Sequence, residues 1–388
     1  MEEVFVVGAK RTPQGKFGRS LSTIPASVLG GIAIKAALNH SKIDHKDVEE
    51  VIFGNVIQAG NGQNIAGQCA FNGGLPATVV KNTVNVVCAS GMLAIENACR
   101  EISLGERDVI VAGGVESMSR APYLMSYRFR QGVKNMFSAR EQLEDAMFND
   151  GLRDAFYDNS MGYWADKTAV KFSQKREDVD EYAFQSFERA LKAKSKGLFD
   201  SELAQMDVLE ADEGIRETSM ESLQKLKPSF SDSGVHTAGN SSQISDGSSA
   251  LVLVSKKYLE SHDIKPLAVI RDFSSASMDS RDFLEAPIKS SKELIKKHNW
   301  RMDDFDIVEH NEAFSGGCIL LRDQLGIDND RFNVNGGAIA IGHPLGSSGS
   351  RIVVTLIHAL INRKEKKGFA TLCHGGGGGH SMAVEVVE

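Results

Sequence analysis

The sequence predicts an α/β fold made of alternating helical and sheet layers, with a helical segment inserted in its first half. Strand-like and helix-like runs alternate along both ends of the chain, which is typical of layered α/β proteins. The two ends also share the order of their features. Residues 118–242 depart from that order, since they are rich in Met, Arg, Lys and Glu and contain no strong strand pattern.

The first half supplies the clearest individual elements. Short apolar runs predict buried strands over residues 4–8, 51–55 and 108–114. The helical spacing of apolar residues predicts helices over 26–39 and 90–104. Because each predicted helix lies between two predicted strands, the helices are expected to pack against the faces of the sheet.

An internal repeat relates the two ends of the chain. Residues 41–51 and 300–309 both follow a helix, contain an apolar-Asp-x-x-Asp-apolar pattern and lead into a strand. Residues 84–114 and 333–375 both run from a strand through a helix to a second strand that ends in glycine. We interpret the chain as two copies of one α/β unit, packed as pseudo-symmetric halves.

The repeat and the inserted segment predict three regions. The N-terminal half comprises residues 1–117 and 243–265, and the C-terminal half comprises residues 266–388. Residues 118–242 form a helical loop domain, with a strong helical pattern over 176–196. Long insertions at strand ends commonly cover or build a ligand site, so we expect this one to do so.

Composition and charge exclude several classes of protein. The 388 residues are 41% hydrophobic, which suffices for a large core, and the net charge of -7 argues against a nucleic-acid binder. The chain begins with an acidic segment and contains no apolar run of roughly 20 residues, so we expect a soluble, cytoplasmic protein without a membrane segment. The five cysteines are scattered without metal-ligand spacing, so we expect neither a disulfide framework nor a metal site.

Four segments contain residues suited to acyl-transfer chemistry. Cys88 lies where a strand meets a helix, and the positive end of the helix dipole is expected to stabilise its thiolate. His343 lies in a Gly-rich turn before another helix, where its ring could serve a thiol. Cys373 precedes five glycines that begin at Gly375, and Asn311 follows an apolar strand, where it could donate a hydrogen bond. Each segment alone is equally compatible with a structural role.

Taken together, these segments resemble the thiolase family over nearly the whole chain. The resemblance begins with the opening over residues 6–18. It continues through four ordered motifs, which are Asn85-Val86-Val87-Cys88-Ala89-Ser90-Gly91, Asn311-Glu312-Ala313-Phe314, Gly342-His343-Pro344 and Cys373-x-Gly375-Gly376-Gly377-x-Gly379. It implies a five-layered αβαβα core, and family members are usually dimers or tetramers.

The resemblance implies a mechanism for the reversible condensation of two acetyl-CoA molecules to acetoacetyl-CoA and CoA. Cys88 would accept the acyl group, and His343 would activate its thiol. Cys373 would remove the α-proton of the second acetyl-CoA. Asn311 would hold a water in the oxyanion hole for that second thioester, while the N–H groups of Cys88 and Gly375 would bind the acyl-enzyme carbonyl. No metal or redox cofactor is required, because the CoA thioesters are substrates.

The resemblance also implies a set of residues that bind coenzyme A. They are Leu152, Met161, Arg216, Phe230, Ala238, Gly239, Ser242, Ala313 and Phe314. Arg216 would lie toward the nucleotide end. Arg128, Arg130 and Lys134 add basic charge nearby in sequence, although exposed basic residues of this kind usually form a solvated face.

Three positions depart from the usual thiolase pattern. Ser160 stands where many acetoacetyl-CoA thiolases have His, residues 283–287 replace Met-Gly-x-Gly-Pro, and His374 stands where an aliphatic residue is common. The first two bear on the length of the acyl chain. One alternative is therefore a 3-ketoacyl-CoA thiolase of fatty-acid degradation, with a longer-chain preference. Another is a non-catalytic acyl-CoA or lipid-binding relative, although such a protein should lack a catalytic residue and none is missing here.

Overall fold

The protein is built around a mixed β-sheet with helices packed on its faces. The structure is a computed structural model that describes residues 2–126 and 143–387. Arg128, Arg130 and Lys134 lie outside the described residues. The strands are β1 (Val4–Arg11), β2 (Gly15–Lys16), β3 (Glu50–Gly54), β4 (Val80–Val84), β5 (Val109–Ser117), β6 (Tyr123–Met125), β7 (Leu143–Asp145), β8 (Ser245–Ser255), β9 (Ala268–Ser277), β10 (Ile307–His310), β11 (Lys367–His374) and β12 (Gly378–Val386). The α-helices are α1 (Ala26–Ser41), α2 (Ile65–Asn72), α3 (Ser90–Ser103), α4 (Met161–Lys171), α5 (Arg176–Ser195), α6 (Met220–Gln224), α7 (Lys256–His262), α8 (Ala286–His298), α9 (Ser315–Leu325) and α10 (Leu345–Arg363).

The order of the strands repeats between the two halves of the sheet. The first half runs β4-β3-β5-β8-β1, in which β4, β3 and β5 are parallel and β8 and β1 each reverse direction. The second half runs β10-β11-β12-β9 with the same directions, and Phe332 forms a parallel bridge beside β10 at the place that β4 takes in the first half. The antiparallel pairing of β1 with β9 joins the halves. The predicted internal repeat is therefore present in the fold.

Five layers follow from the way the helices pack on this sheet. Helices α1 and α2 cover the outer face of the first half, and α8, α9 and α5 cover that of the second. Helices α3 and α10 lie between the halves, and their apolar core draws residues from both. Because α10 is enclosed on all sides, Leu345–Leu360 are buried without interruption. The predicted αβαβα arrangement is confirmed.

Two glycines, Gly54 at the end of β3 and Gly114 within β5, let the start of α10 approach the sheet. A side chain at Gly114 would meet the carbonyl oxygen of Gly346, and one at Gly54 would meet the same oxygen at 2.6 Å. Only glycine leaves room for backbone to approach backbone this closely. This contact brings the first turn of α10 against β3 and β5.

No helix within residues 2–126 or 143–387 is both long and apolar enough to cross a lipid bilayer. The cytoplasmic location expected from the sequence stays a prediction.

A fully buried cation ties the inserted segment to β1. The guanidinium of Arg11 donates to Asp212 at 2.6 and 2.9 Å and to Glu202 at 2.7 Å, and all three side chains are buried. A buried ion pair of this kind is costly to break because the remaining charges stay desolvated. The Lys10-Arg11-Thr12-Pro13 segment therefore has a structural function at the junction of the halves and the insertion.

Replacing Arg11 by Met is expected to lower the free energy of unfolding by about 3–5 kcal/mol, because Glu202 and Asp212 would remain buried without their counter-charge. Urea unfolding measures the change. Arg19→Met is the matched control, since Arg19 is exposed and should tolerate the same substitution. An Arg11→Met protein as stable as the control would contradict this assignment.

Candidate active site

The structure brings the four predicted catalytic side chains together where the two halves meet. The Nε2 atom of His343 lies 3.3 Å from the sulfur of Cys88 and 3.4 Å from the amide nitrogen of Asn311. Burial raises the pKa of Cys373, and Cys373 is close enough to Cys88 for negative charge on Cys88 to raise it further. All four are buried, so they form one enclosed cluster drawn from both halves.

A strained turn presents Cys88. The sequence analysis placed it where a strand runs directly into a helix, but β4 ends at Val84 and α3 begins at Ser90. Between them Val87 has a φ of 51°, a left-handed conformation that is costly for a β-branched residue. The hydroxyl of Ser90 holds the turn, since it donates to the carbonyl of Val87 at 2.6 Å and accepts from the N–H of Val86 at 2.9 Å. Backbone strain of this kind is typical of functional sites.

Ser348 fixes the protonation of the His343 ring. Its hydroxyl donates to the carbonyl of Pro344 at 2.9 Å, so the same oxygen is left to accept from Nδ1 of His343 at 2.5 Å. The proton of the neutral imidazole therefore lies on Nδ1, and the bare Nε2 faces the Cys88 thiol. His343 is thus oriented to accept the thiol proton. Ser348 was not among the residues singled out from the sequence.

Replacing Ser348 by Ala is expected to lower kcat about 10-fold with little change in KM, because His343 loses the partner that selects the reactive tautomer. Steady-state kinetics of thioester cleavage measure this. Ser347→Ala is the neighbouring control, since the Ser347 hydroxyl contacts Ser249 and not the ring. Equal kinetics for the two variants would show that the contact with Ser348 does not set the tautomer.

Asn311 is held on its other side by a buried arginine. A guanidinium nitrogen of Arg351 lies 3.5 Å from the side-chain oxygen of Asn311, which turns the amide nitrogen toward His343. The backbone N–H of Asn311 also donates to the carbonyl of Thr371 in β11 at 3.1 Å. The amide nitrogen and Nε2 of the imidazole therefore face the same space, and both become donors to it once His343 is protonated.

Burial is the largest influence on the pKa values of both Cys88 and His343. Desolvation raises the pKa of Cys88 to about 12, although its own N–H and that of Gly375 donate to the sulfur and oppose the shift. Desolvation, with a smaller contribution from Arg351, lowers the pKa of His343 to about 3. The stabilisation of the thiolate expected from the helix dipole is thus outweighed, because taking the charge out of water costs more than the aligned N–H groups return. The resting pair is a neutral thiol and a neutral imidazole.

The two N–H groups that reach Cys88 form a site for negative charge. They belong to Cys88 itself and to Gly375, the residue after the end of β11. Backbone donors fixed in a dry pocket are well suited to an oxyanion, because they need no reorganisation when charge develops. The predicted oxyanion pair is therefore close together and directed at the thiol.

Glu116, which the sequence analysis did not single out, fastens the two halves beside this site. Its carboxylate accepts hydrogen bonds from the N–H groups of Val56, Ile57 and Gly346 at 3.0, 3.2 and 2.9 Å. Burial raises its pKa to about 7, and these hydrogen bonds limit the rise. Glu116 therefore connects the ends of β3 and β5 to the start of α10. Isolated in sequence, it carries no motif that would have identified it.

An apolar cavity of about 800 Å³ leads from the surface to His343. Its volume lies within the range of small-molecule and cofactor sites. Seven of the nine residues predicted to bind coenzyme A line it, namely Leu152, Met161, Arg216, Phe230, Ala238, Ser242 and Phe314. The sequence analysis missed other lining residues, which include Lys16, Phe17, Met118, Phe148, Gln243, Ile244 and Leu345.

Two predicted coenzyme A residues do not line this cavity. Gly239 is buried and packs against Leu223 and Leu226, so it supports the wall from behind. Ala313 is buried beside Cys373, and its carbonyl accepts from the N–H of Ser242 at 3.0 Å. Both lie next to lining residues in sequence, which explains why pattern alone could not separate them.

With Lys16, Arg216 is one of two cationic side chains that line the cavity. Its guanidinium lies 4.5 Å from the centre of the Phe187 ring, and burial lowers its pKa. Among residues 2–126 and 143–387, no carboxylate forms an ion pair with it. Its guanidinium donates to the carbonyl of Gly214 at 3.4 Å, and a guanidinium that no carboxylate neutralises favours an anionic ligand at this point of the wall.

Comparison with known proteins places this site in a family. Residues 4–257 match the N-terminal domain of thiolase, and residues 264–386 match the C-terminal domain. An acetyl-CoA acetyltransferase of Synechocystis is 44% identical, with 100% of both chains covered. An acetyl-CoA acetyltransferase of Cupriavidus necator is 40% identical over 99% of this chain and 100% of its own.

Solved structures agree with these relatives. The Acat5 thiolase of Ascaris suum, determined in complex with coenzyme A, is 36% identical and superposes with a TM-score of 0.94, covering 99% of this chain and 100% of its own. The acetyl-CoA acetyltransferase of Bacillus anthracis is 34% identical with a TM-score of 0.95, covering 100% and 99%. The resemblance noted in the sequence therefore extends to the whole fold.

Proposed function

Because the chain belongs to the thiolase family, we propose that it catalyses the reversible condensation of two acetyl-CoA molecules to acetoacetyl-CoA and free CoA. The observation that carries the proposal is the enclosed pair of thiols, Cys88 and Cys373, beside a correctly oriented imidazole at the end of an apolar cavity. The relatives named acetyl-CoA acetyltransferase support the same reaction, and the chain is an acyltransferase.

In the first half-reaction Cys88 takes the acetyl group. Its sulfur attacks the thioester carbonyl while its proton moves to Nε2 of His343, 3.3 Å away. The N–H groups of Cys88 and Gly375 would bind the oxyanion. The bond from carbon to the CoA sulfur breaks, and the departing thiolate takes a proton from Cys373. Acetyl-Cys88 and CoA result, with Cys373 ionised beside the imidazolium.

In the second half-reaction Cys373 removes an α-proton from the incoming acetyl-CoA. The carbanion attacks the carbonyl of acetyl-Cys88, a carbon–carbon bond forms and the bond to the Cys88 sulfur breaks. Cys88 then recovers its proton from His343. The amide nitrogen of Asn311 and the ring of His343 would support the thioester oxygen of the second substrate, directly or through a water. Each proton released is taken up within the site, so this route requires no metal or redox cofactor.

The surroundings of Cys373 support a short acyl chain. Phe283 and Leu284, from the segment that departs from the usual thiolase pattern, are buried in one cluster with Cys373 and Met161. The ring of Phe283 also packs edge-on against Phe314 at 6.2 Å. These large side chains fill the space next to the reacting groups. We therefore assign acetyl and acetoacetyl groups, not longer chains, to this site.

We also propose that the protein is a homo-oligomer, a dimer or a tetramer. Within the described part of the chain β4 pairs on one side only, with β3, and its Val80 is 41% exposed. An open strand edge with apolar side chains is a surface that proteins usually cover. Light scattering should give a mass that is two or four times 42.1 kDa.

The direct test is CoA-dependent cleavage of acetoacetyl-CoA beside a long-chain 3-ketoacyl-CoA, with purified protein. We expect a strong preference for acetoacetyl-CoA, because Phe283 and Leu284 leave little room for a longer chain. A preference for the longer substrate would assign the protein to the degradative class of thiolases. Cleavage of neither, with CoA binding retained, would support a non-catalytic acyl-CoA-binding protein.

A further inference from the structure

We infer that His374 is a positioning residue, which restrains the backbone at Gly375 so that the Gly375 N–H stays aimed at Cys88. This inference rests on the proposed function, since it assigns His374 to the oxyanion site of the acyl-transfer step. His374 is the last residue of β11, and Gly375 to Gly377 form the three-residue turn into β12. The catalytic scheme above gives His374 no part in proton transfer.

The turn that supplies the oxyanion donor has little rigidity of its own. Gly375, Gly376 and Gly377 carry no side chains, and the last two have φ values of 85° and 84°. Glycine populates many backbone conformations, so three in succession need an external restraint to hold one of them. An oxyanion donor must be fixed before reaction to be effective.

The His374 side chain supplies that restraint. Its Nδ1 atom lies 2.7 Å from the carbonyl oxygen of Gly375. A carbonyl can only accept, so Nδ1 carries the proton and donates it. This hydrogen bond restrains the peptide plane between Gly375 and Gly376. The end of β11 restrains the plane between His374 and Gly375, which carries the Gly375 N–H. Rotation of the Gly375 N–H away from the Cys88 sulfur is thereby restricted.

The ring is itself held by its neighbours. It packs over Gly378, its cross-strand partner, where a Cβ atom would clash with the imidazole. On its far side lies His380, with ring centres 5.4 Å apart, and His380 in turn contacts the buried carboxylate of Glu96 at 2.7 Å. A chain of contacts thus runs from Glu96 in the central layer to the oxyanion donor. Burial lowers the pKa of His374 to about 4, so the ring is neutral at physiological pH.

The test compares His374→Leu, His374→Asn and His374→Gln. Leu removes the donor. The amide nitrogen of Asn can occupy the place of Nδ1, whereas that of Gln matches Nε2, on the wrong side of the ring. We expect His374→Leu and His374→Gln to lower kcat for acetoacetyl-CoA cleavage about 10-fold, less than the loss of a whole oxyanion donor. His374→Asn should recover kcat to within about 3-fold of wild type, and KM for CoA should stay within about 2-fold in all three.

Thermal unfolding of each variant separates this effect from loss of folded protein, because Asn and Gln differ little in polarity and should fold alike. Wild-type kcat in His374→Leu, or equal recovery by Asn and Gln, would overturn the assignment. If the wild-type protein itself fails to cleave acetoacetyl-CoA, the proposed function fails. If wild type is active and the Asn and Gln variants are indistinguishable, only the positioning assignment fails.

Discussion

Replacing Cys88 by Ala is expected to abolish formation of the acyl-enzyme and to lower turnover by about 10⁴-fold or more. The substitution removes the atom that attacks the thioester, and no other thiol can replace it. Cys373 lies in the same cluster, but the aligned N–H groups of Cys88 and Gly375 and the bare Nε2 of His343 point at the Cys88 sulfur. The measurement is mass spectrometry of the protein after incubation with acetyl-CoA, beside steady-state cleavage of acetoacetyl-CoA.

Cys99→Ala is the matched control for that experiment. Cys99 is a buried thiol on α3, the helix that directly follows the Cys88 turn, and burial also raises the pKa of Cys99. Removing its sulfur should cost some packing but leave acylation intact. A Cys88→Ala protein that still gains one acetyl group, or turns over like the Cys99→Ala control, would show that the nucleophile lies elsewhere.

Much of the fold could be predicted because local patterns there agree with tertiary packing. The helices expected over 26–39 and 176–196 are α1 (Ala26–Ser41) and α5 (Arg176–Ser195). The strands at 4–8 and 108–114 extend three residues further in β1 and β5, where all the continuing residues except the half-buried Lys10 are also buried. Repeated order identified the pseudo-symmetric halves. What pattern could not give is their junction, since the pairing of β1 with β9 joins segments about 260 residues apart in sequence.

The catalytic side chains could be named from motifs, but their states could not. A thiol at the start of a helix indicates a stabilised thiolate, whereas the structure buries Cys88 so deeply that the neutral form prevails. The tautomer of His343 depends on Ser348, and Ser348 owes its orientation to the Pro344 carbonyl. These protonation and tautomer states depend on contacts between residues brought together by the fold, and neither the spacing nor the type of residues in the sequence predicts them.

A neutral resting site has a mechanistic consequence for the two thiols. Because burial favours the neutral form of both thiols, the Cys88 thiolate must be generated as the first substrate arrives, and the Cys373 thiolate is generated as CoA departs. Charge on Cys88 raises the pKa of Cys373, which disfavours ionisation of both thiols at once. The thiolate is therefore on Cys88 in the first half-reaction, where Cys88 is the nucleophile, and on Cys373 in the second, where Cys373 is the base. The order of the two half-reactions follows from this alternation.

Replacing Cys373 by Ala is expected to separate the two half-reactions. Acetyl-CoA should still acylate Cys88, since the sulfur, its oxyanion donors and His343 are unchanged and the imidazolium can protonate the departing CoA. Condensation should fall by about 10²–10⁴-fold, because no base remains beside the α-carbon of the second substrate. Mass spectrometry should show a stable acetyl adduct, and deuterium should no longer enter the methyl group of acetyl-CoA from heavy water.

Cys318→Ala controls for removal of a buried thiol close to the site. Cys318 is fully buried on α9, and burial, with a smaller contribution from charge on Cys373, raises its pKa. It packs with the outer core of the second half and takes no part in the scheme. This variant should keep both acylation and deuterium exchange. If Cys373→Ala retains exchange at the rate of the Cys318→Ala control, the α-proton is removed by another group, and His343 becomes the first candidate. If instead Cys373→Ala cannot be acylated although it is folded, the thiol at 373 is needed to protonate the departing CoA, and the imidazolium does not suffice.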